Sequence, residues 1–177
     1  MRPQIVLFGD SITQQSFGSA GWGAALADAY CRKADVLLRG YGGYNTRWAL
    51  FLLHHIFPLD NSNPPVATTI FFGANDAALF GRTSERQHVP VEEYGDNLKI
   101  MVQHLKRLSP IMLVVLITPP PVDEDGRMEY AKYVNSSPYI NCFLGRPPKY
   151  PQPIGKQQLF YHGGCSICYF LLQLSTI

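Results

Sequence analysis

The sequence predicts an α/β fold with a parallel sheet covered by helices on both faces. Two observations predict it. Short runs that are apolar throughout, such as "QIVLF" and "VATTIFFG", alternate with longer segments of helical periodicity. The alternation repeats along residues 4–119, which implies βαβ units and right-handed crossovers.

Each element follows in order. "QIVLF" reads as a buried strand, and "GWGAALADAYCRKA" as a helix with alanines and leucine on one face. "DVLLRGY" is a second strand. "NTRWALFLLHHIF" is a second helix, capped by Asn45 or Thr46, with His54 and His55 near its negative end. "VATTIFFG" is a third strand. "PVEEYGDNLKIMVQHLKRLS" is a long amphipathic helix with Pro90 at its start, Glu92 and Glu93 in its first turn and His104 on its outer surface. "PIMLVVLITPPP" is a fourth strand, stopped by prolines.

The chain has 177 residues, 46% hydrophobic and 16% charged, with a net charge of +2. That suits one globular domain and offers no basic stripe for nucleic acid. No apolar run reaches the ~18–20 residues that a membrane span requires. The start "MRPQIVLFGDS" leaves no room for a signal peptide's apolar region, so an intracellular, cytoplasmic setting is expected, with the four cysteines as thiols. Composition breaks near Tyr133. Residues 1–133 hold all 13 acidic residues, whereas 134–177 hold none, together with three cysteines and the Pro-rich "GRPPKYPQP". The expected division is therefore a domain over 1–133 and an atypical tail over 134–177.

In parallel sheets ligands sit outside the carboxyl ends of the strands, so three loops matter. "GDSITQQ" places Ser11 at a strand-to-helix turn, either as a nucleophile beside free N–H groups or simply as a helix N-cap. "RGYGGYNT" offers glycines that allow close backbone approach and a free N–H, or merely a tight turn. "FFGANDAALFG" offers the Asn75 amide after Gly73, or an ordinary turn. Each loop alone is weak. Together they supply an attacking hydroxyl and donors for a tetrahedral oxyanion, which is the equipment of acyl transfer.

With those blocks in view, the chain resembles the SGNH, or GDSL-type, hydrolases. "FGDSI" is similar to the nucleophile block, "GYGGYNT" to the glycine block and "GAND" to the asparagine block. "GYNTRWAL", "IFFGANDA", "QHVPVEEYGDNLKIMV" and "LITPPPVDEDGR" resemble the isoamyl acetate-hydrolysing esterase group in a plant-like form. The resemblance runs from about residue 4 to residue 132. It implies a flavodoxin-like three-layer fold, strand order 2-1-3-4-5, and hydrolysis of small carboxylic esters without cofactor or metal. Carried over, Ser11 is the nucleophile, and Gly43 and Asn75 join the Ser11 N–H in the oxyanion hole. Asp10, Asn45 and Asp76 are then supporting residues.

The resemblance stops before its last block. A serine needs a base, usually a histidine oriented by a carboxylate. The family brings both in an Asp-x-x-His block after a fifth strand, and residues 134–177 lack it. Their one histidine, His162, has Leu159 three places before it, and no acidic residue follows Glu129. Impaired activity is expected, and the tail reads as alternative or frame-shifted sequence. It would leave the fourth strand's edge without its fifth neighbour unless "ICYFLLQLSTI" pairs there. His162, Cys165 and Cys168, with Cys142, fall short as a zinc site because a lone C-x-x-C is weak. Tyr41, Tyr44, Trp48, Phe51 and Phe80 are candidates for an acyl pocket or for ordinary core packing.

Overall fold

The computed structural model describes residues 2–81 and 84–119. Four strands form one parallel sheet: β1 (Gln4–Gly9), β2 (Asp35–Gly40), β3 (Ala67–Phe71) and β4 (Leu113–Leu116). Between them lie α1 (Ser11–Gln14), α2 (Trp22–Ala29), α3 (Thr46–Ile56) and α4 (Val91–Leu108), with a 3₁₀ turn at Glu85–Gln87. The spatial order is β2-β1-β3-β4. It matches the first four places of the expected order, with β1 in the middle.

Register shows why both faces need cover. Val6 pairs with Leu37 and Thr68, and Ile70 pairs with Phe8 and Leu116, so one face carries Val6, Phe8, Leu37, Ile70 and Leu116. That face packs with Ala49 and Leu53 of α3 and Met101 and Leu105 of α4 around Phe8, whose ring meets Phe57 and Phe72 edge-on. The opposite face carries Ile5, Leu7 and Phe71, with Trp22 of α2 against Phe71. Burying a Leu or Phe in such a core is worth about 1.5–3 kcal/mol. Three layers result.

The elements fall short of their predicted ends for local reasons. The first predicted helix stops at Ala29: the Cys31 N–H bonds Asp28 O, three residues back instead of four, and Arg32 adopts a positive φ of 65°. Ser11 is not the cap of α1. Asp10 takes that place, its carboxylate accepting the Ile12 N–H at 2.9 Å. Asn45 caps α3, accepting the Trp48 N–H at 2.9 Å. His104 is not on the outer surface either. It is buried against α3, where its Nε2 bonds Phe57 O at 2.7 Å and His54 packs edge-on over it. Among the described residues, β4 pairs only with β3. The tail, with His162, its three cysteines and the run "ICYFLLQLSTI", lies outside the described residues.

Candidate active site

Strand order brings the three loops together. β1 lies between β2 and β3, so the loop carrying Ser11 has the Gly42–Gly43 turn on one side and the Asn75 loop on the other. Main-chain bonds hold them edge to edge: Tyr41 N–H donates to Gly9 O at 2.8 Å, and Asp10 N–H to Phe71 O at 3.2 Å. Gly9 and Gly40, paired at the ends of β1 and β2, let α1 sit directly on the sheet. A Cβ on Gly40 would collide with the backbone of Gln14, and one on Gly9 with Thr13.

Ser11 is the first residue of α1 and is partly exposed. Helical geometry leaves its N–H without an intrahelical acceptor. A Cβ built on Gly42 would stand 3.9 Å from Ser11 Cβ, so the glycine turn lies against the serine. Gly43 sits at φ 79°, a conformation that side chains rarely adopt, and its N–H has no acceptor among the described residues. Gly42 N–H donates to Gln14 Oε1 at 2.6 Å, and Gly43 O accepts from Gln87 Nε2 at 2.8 Å. Asn75 donates one amide hydrogen to Tyr44 O at 2.8 Å, leaving its second available.

Behind these groups lies a buried polar layer. Asp76 accepts from Thr46 N–H at 3.0 Å and from the Thr46 hydroxyl, and Asn97 Nδ2 donates to that hydroxyl oxygen at 3.1 Å. Asp10 is fully buried, and its second carboxylate oxygen has no partner among the described residues. Burial, chiefly, pushes its pKa up to about 6, opposed by the Ile12 N–H and reinforced by the charge of Asp76. Burial also raises the Asp76 carboxyl, with the two Thr46 donors pulling it back. The Tyr94 hydroxyl, donating to Phe72 O at 3.2 Å, is raised by desolvation and by both carboxylates.

Sequence reasoning named Ser11, Gly43 and Asn75, and these lie on three adjacent loops. It gave no role to Gln14 and Gln87, although they lie within "GDSITQQ" and "QHVPVEEYGDNLKIMV". Tyr41 and Tyr44 pack on the core beside the glycine turn, and Trp48 meets Tyr44 edge-on, whereas Phe51 is 76% exposed on α3. Phe80 is exposed and its ring meets that of His88 at a tilt of 50°, within a shallow recess also lined by Arg47, Glu85, Arg86 and Pro90. That recess includes none of Ser11, Gly43 and Asn75. Among the described residues no three His, Cys, Asp or Glu side chains gather to hold a metal ion, and no helix is long and apolar enough to cross a membrane.

Fold and loops define a class: an α/β scaffold that brings a serine, a glycine turn and an asparagine onto adjacent loops at the end of a central parallel strand. Residues 5–145 match the family model "GDSL-like Lipase/Acylhydrolase", and the chain belongs to that family. It is 78% identical over 134 residues to a GDSL esterase/lipase of Arabidopsis thaliana, covering 76% of this chain and 55% of that protein. It is 56% identical over 124 residues to the isoamyl acetate-hydrolyzing esterase 1 homolog of Homo sapiens, covering 69% of this chain and 50% of that one. Among solved structures, a lipase/acylhydrolase from Enterococcus faecalis aligns with a TM-score of 0.52 at 31% identity, over 73% of this chain and 63% of its own. The chain thus spans about half the length of the two relatives.

Proposed function

We propose that this chain carries the nucleophile and oxyanion hole of a carboxylic ester hydrolase, with Ser11 as nucleophile and the N–H groups of Ser11 and Gly43 and the Asn75 amide as donors. One observation carries the reading: three N–H groups with no acceptor among the described residues, and one hydroxyl, stand on adjacent loops at the end of β1. Ser11 Oγ would attack the ester carbonyl, and the oxygen that gains charge would be received by those donors. The alcohol then leaves, and water cleaves the Ser11 acyl ester. The relative named for isoamyl acetate hydrolysis supports short-chain or acetyl esters as the substrate class.

Among the described residues, no histidine is bonded to Ser11 to take its proton. Among the described histidines, His104 is spent on Phe57 O, His54 packs on it and exposed His55 follows at the far end of α3, and His88 Nδ1 bonds Ala78 O at 2.7 Å. None of these bonds Ser11. Residues 134–177, which we read as a tail outside the hydrolase portion 1–133, contain no carboxylate to orient His162. Loss of one triad member typically costs on the order of 10⁴–10⁶ in rate, with roughly 10³–10⁴ over water surviving from the oxyanion hole and binding. Weak hydrolysis is therefore the expected property. A second reading, an inactive scaffold that only binds ester-like ligands, is favoured by that same missing carboxylate.

The deciding experiment is p-nitrophenyl acetate hydrolysis by the purified chain and by Ser11→Ala across pH 6–9. A slow rate that disappears in Ser11→Ala is expected. Two proteins indistinguishable from buffer would replace the hydrolase reading with the inactive scaffold.

A further inference from the structure

We infer that Gln14 and Gln87 are positioning residues that aim the Gly43 N–H at the oxyanion, an inference resting on the assignment of Gly43 as a donor. The Gly43 N–H belongs to the peptide unit joining Gly42 to Gly43, which moves as one plane. Two successive glycines, one at φ 79°, leave that plane unusually free to rotate, and neither has a side chain to hold it. Rotated over, it would present the Gly42 carbonyl, an acceptor, where a donor is needed.

The neighbouring peptide units on both sides are held. Gly42 N–H, in the unit before, donates to Gln14 Oε1 at 2.6 Å. Gly43 O, in the unit after, accepts from Gln87 Nε2 at 2.8 Å. Of the three planes, only the one between them has an N–H with no acceptor among the described residues. Gln14 stands on α1 three residues past Ser11, so it ties the donor's turn to the nucleophile's own helix. Gln87 belongs to the 3₁₀ turn, and its main-chain oxygen accepts the Asn45 side-chain amide at 2.8 Å, which fixes it to the start of α3. The two amides work with opposite polarity: Gln14 accepts and Gln87 donates. That asymmetry separates positioning from mere space-filling.

The test uses the full ¹⁵N-labelled chain and butylboronic acid, which needs no turnover. Ser11 Oγ forms a bond to boron and its proton passes to buffer, leaving a tetrahedral anionic boronate with an oxygen in the hole. ¹¹B resonance reads the tetrahedral adduct, and the Gly43 amide proton reads the hydrogen bond to it. In the parent chain the adduct forms, is absent in Ser11→Ala, and moves the Gly43 proton downfield. In Gln14→Met and Gln87→Met, with dispersed spectra showing an intact fold, adduct affinity falls about 5–10-fold, the scale of one hydrogen bond, and the Gly43 displacement shrinks. Gln103→Met, on the exposed face of α4, leaves both unchanged. Without ligand, Gln14→Glu keeps the acceptor and holds the Gly42 amide proton downfield, whereas Gln87→Glu removes the donor and behaves as Gln87→Met. This pair also serves if a methionine variant fails to fold. Unchanged affinity and Gly43 displacement in the Gln14 and Gln87 variants would overturn the inference and leave the oxyanion assignment standing. No Ser11-dependent adduct in the parent chain would overturn both.

Discussion

Gly40 and Gly95 are the same letter in the sequence, and the fold gives them opposite consequences. A methyl group on Gly40 would strike the main chain of Gln14, which cannot yield without lifting α1 from the sheet. A methyl group on Gly95, inside α4, meets nothing within 4 Å. Gly40→Ala is therefore expected to destabilise by about 1–3 kcal/mol, as overpacking does. Gly95→Ala should stabilise by about 0.5–1 kcal/mol, through helix propensity alone. Urea denaturation of the two variants beside the parent chain checks both signs. Such differences were not legible beforehand, because they depend on which backbone passes close by. Ser11, Gly43 and Asn75 were legible, since each stands in a short block whose residue types suit one chemistry. Gln14 and Gln87 were not, because their partners lie 28 and 44 residues away.

At the scale of elements, the periodicities of α3 and α4 were readable, and so was a cap at Asn45 or Thr46, of which the fold uses Asn45. What joins the two helices was not. The Thr46 N–H and hydroxyl, both buried, are held by Asp76 from the loop after β3, while Asn97 of α4 donates to the same hydroxyl. One carboxylate thus ties the Asn75 loop to the start of α3 and, through Thr46, to α4. The same helices also share the exposed pair Arg47–Glu93, joined by two bonds of 2.6 Å. Burial decides which matters. Asp76→Ala leaves two buried donors without an acceptor, and a loss of about 1–3 kcal/mol is expected. Glu93→Ala only returns an exposed guanidinium to water and should leave stability nearly unchanged. Thermal unfolding of both variants tests the contrast, and an equal loss in each would contradict it. His104 escaped the sequence reading for a related reason. Its ring sits where α4 crosses the end of α3, so the Phe57 carbonyl, not solvent, receives its N–H.

Across the whole molecule, the layer order was legible from alternation and resemblance together, and it determines the electrostatics of the interior. Placing β1 in the middle puts Asp10 at the end of a strand that has protein on every side, so its carboxyl is fully buried beside Asp76. The sign of the pH effect follows. Asp10 has a folded pKa of about 6 against an ordinary value of 3.8, so between these values the folded state holds a proton that the unfolded state has lost. Stability must then fall as pH rises from about 4 through 6, and the loss is complete above the folded pKa. The raised carboxyl of Asp76 acts in the same direction. For Asp10 the shift corresponds to about 2–3 kcal/mol between acid and neutral pH. Asp10→Asn is the informative variant. Its side-chain oxygen can still cap α1 by accepting the Ile12 N–H, yet it carries no titrating charge. Urea unfolding at pH 4, 5, 6 and 7 should show the parent chain losing stability along the series. Asp10→Asn should follow a much flatter course and be the more stable protein at pH 7. Parallel curves for the two would mean that the Asp10 carboxyl is solvated after all, and that the interior behind Ser11 is wetter than its packing implies.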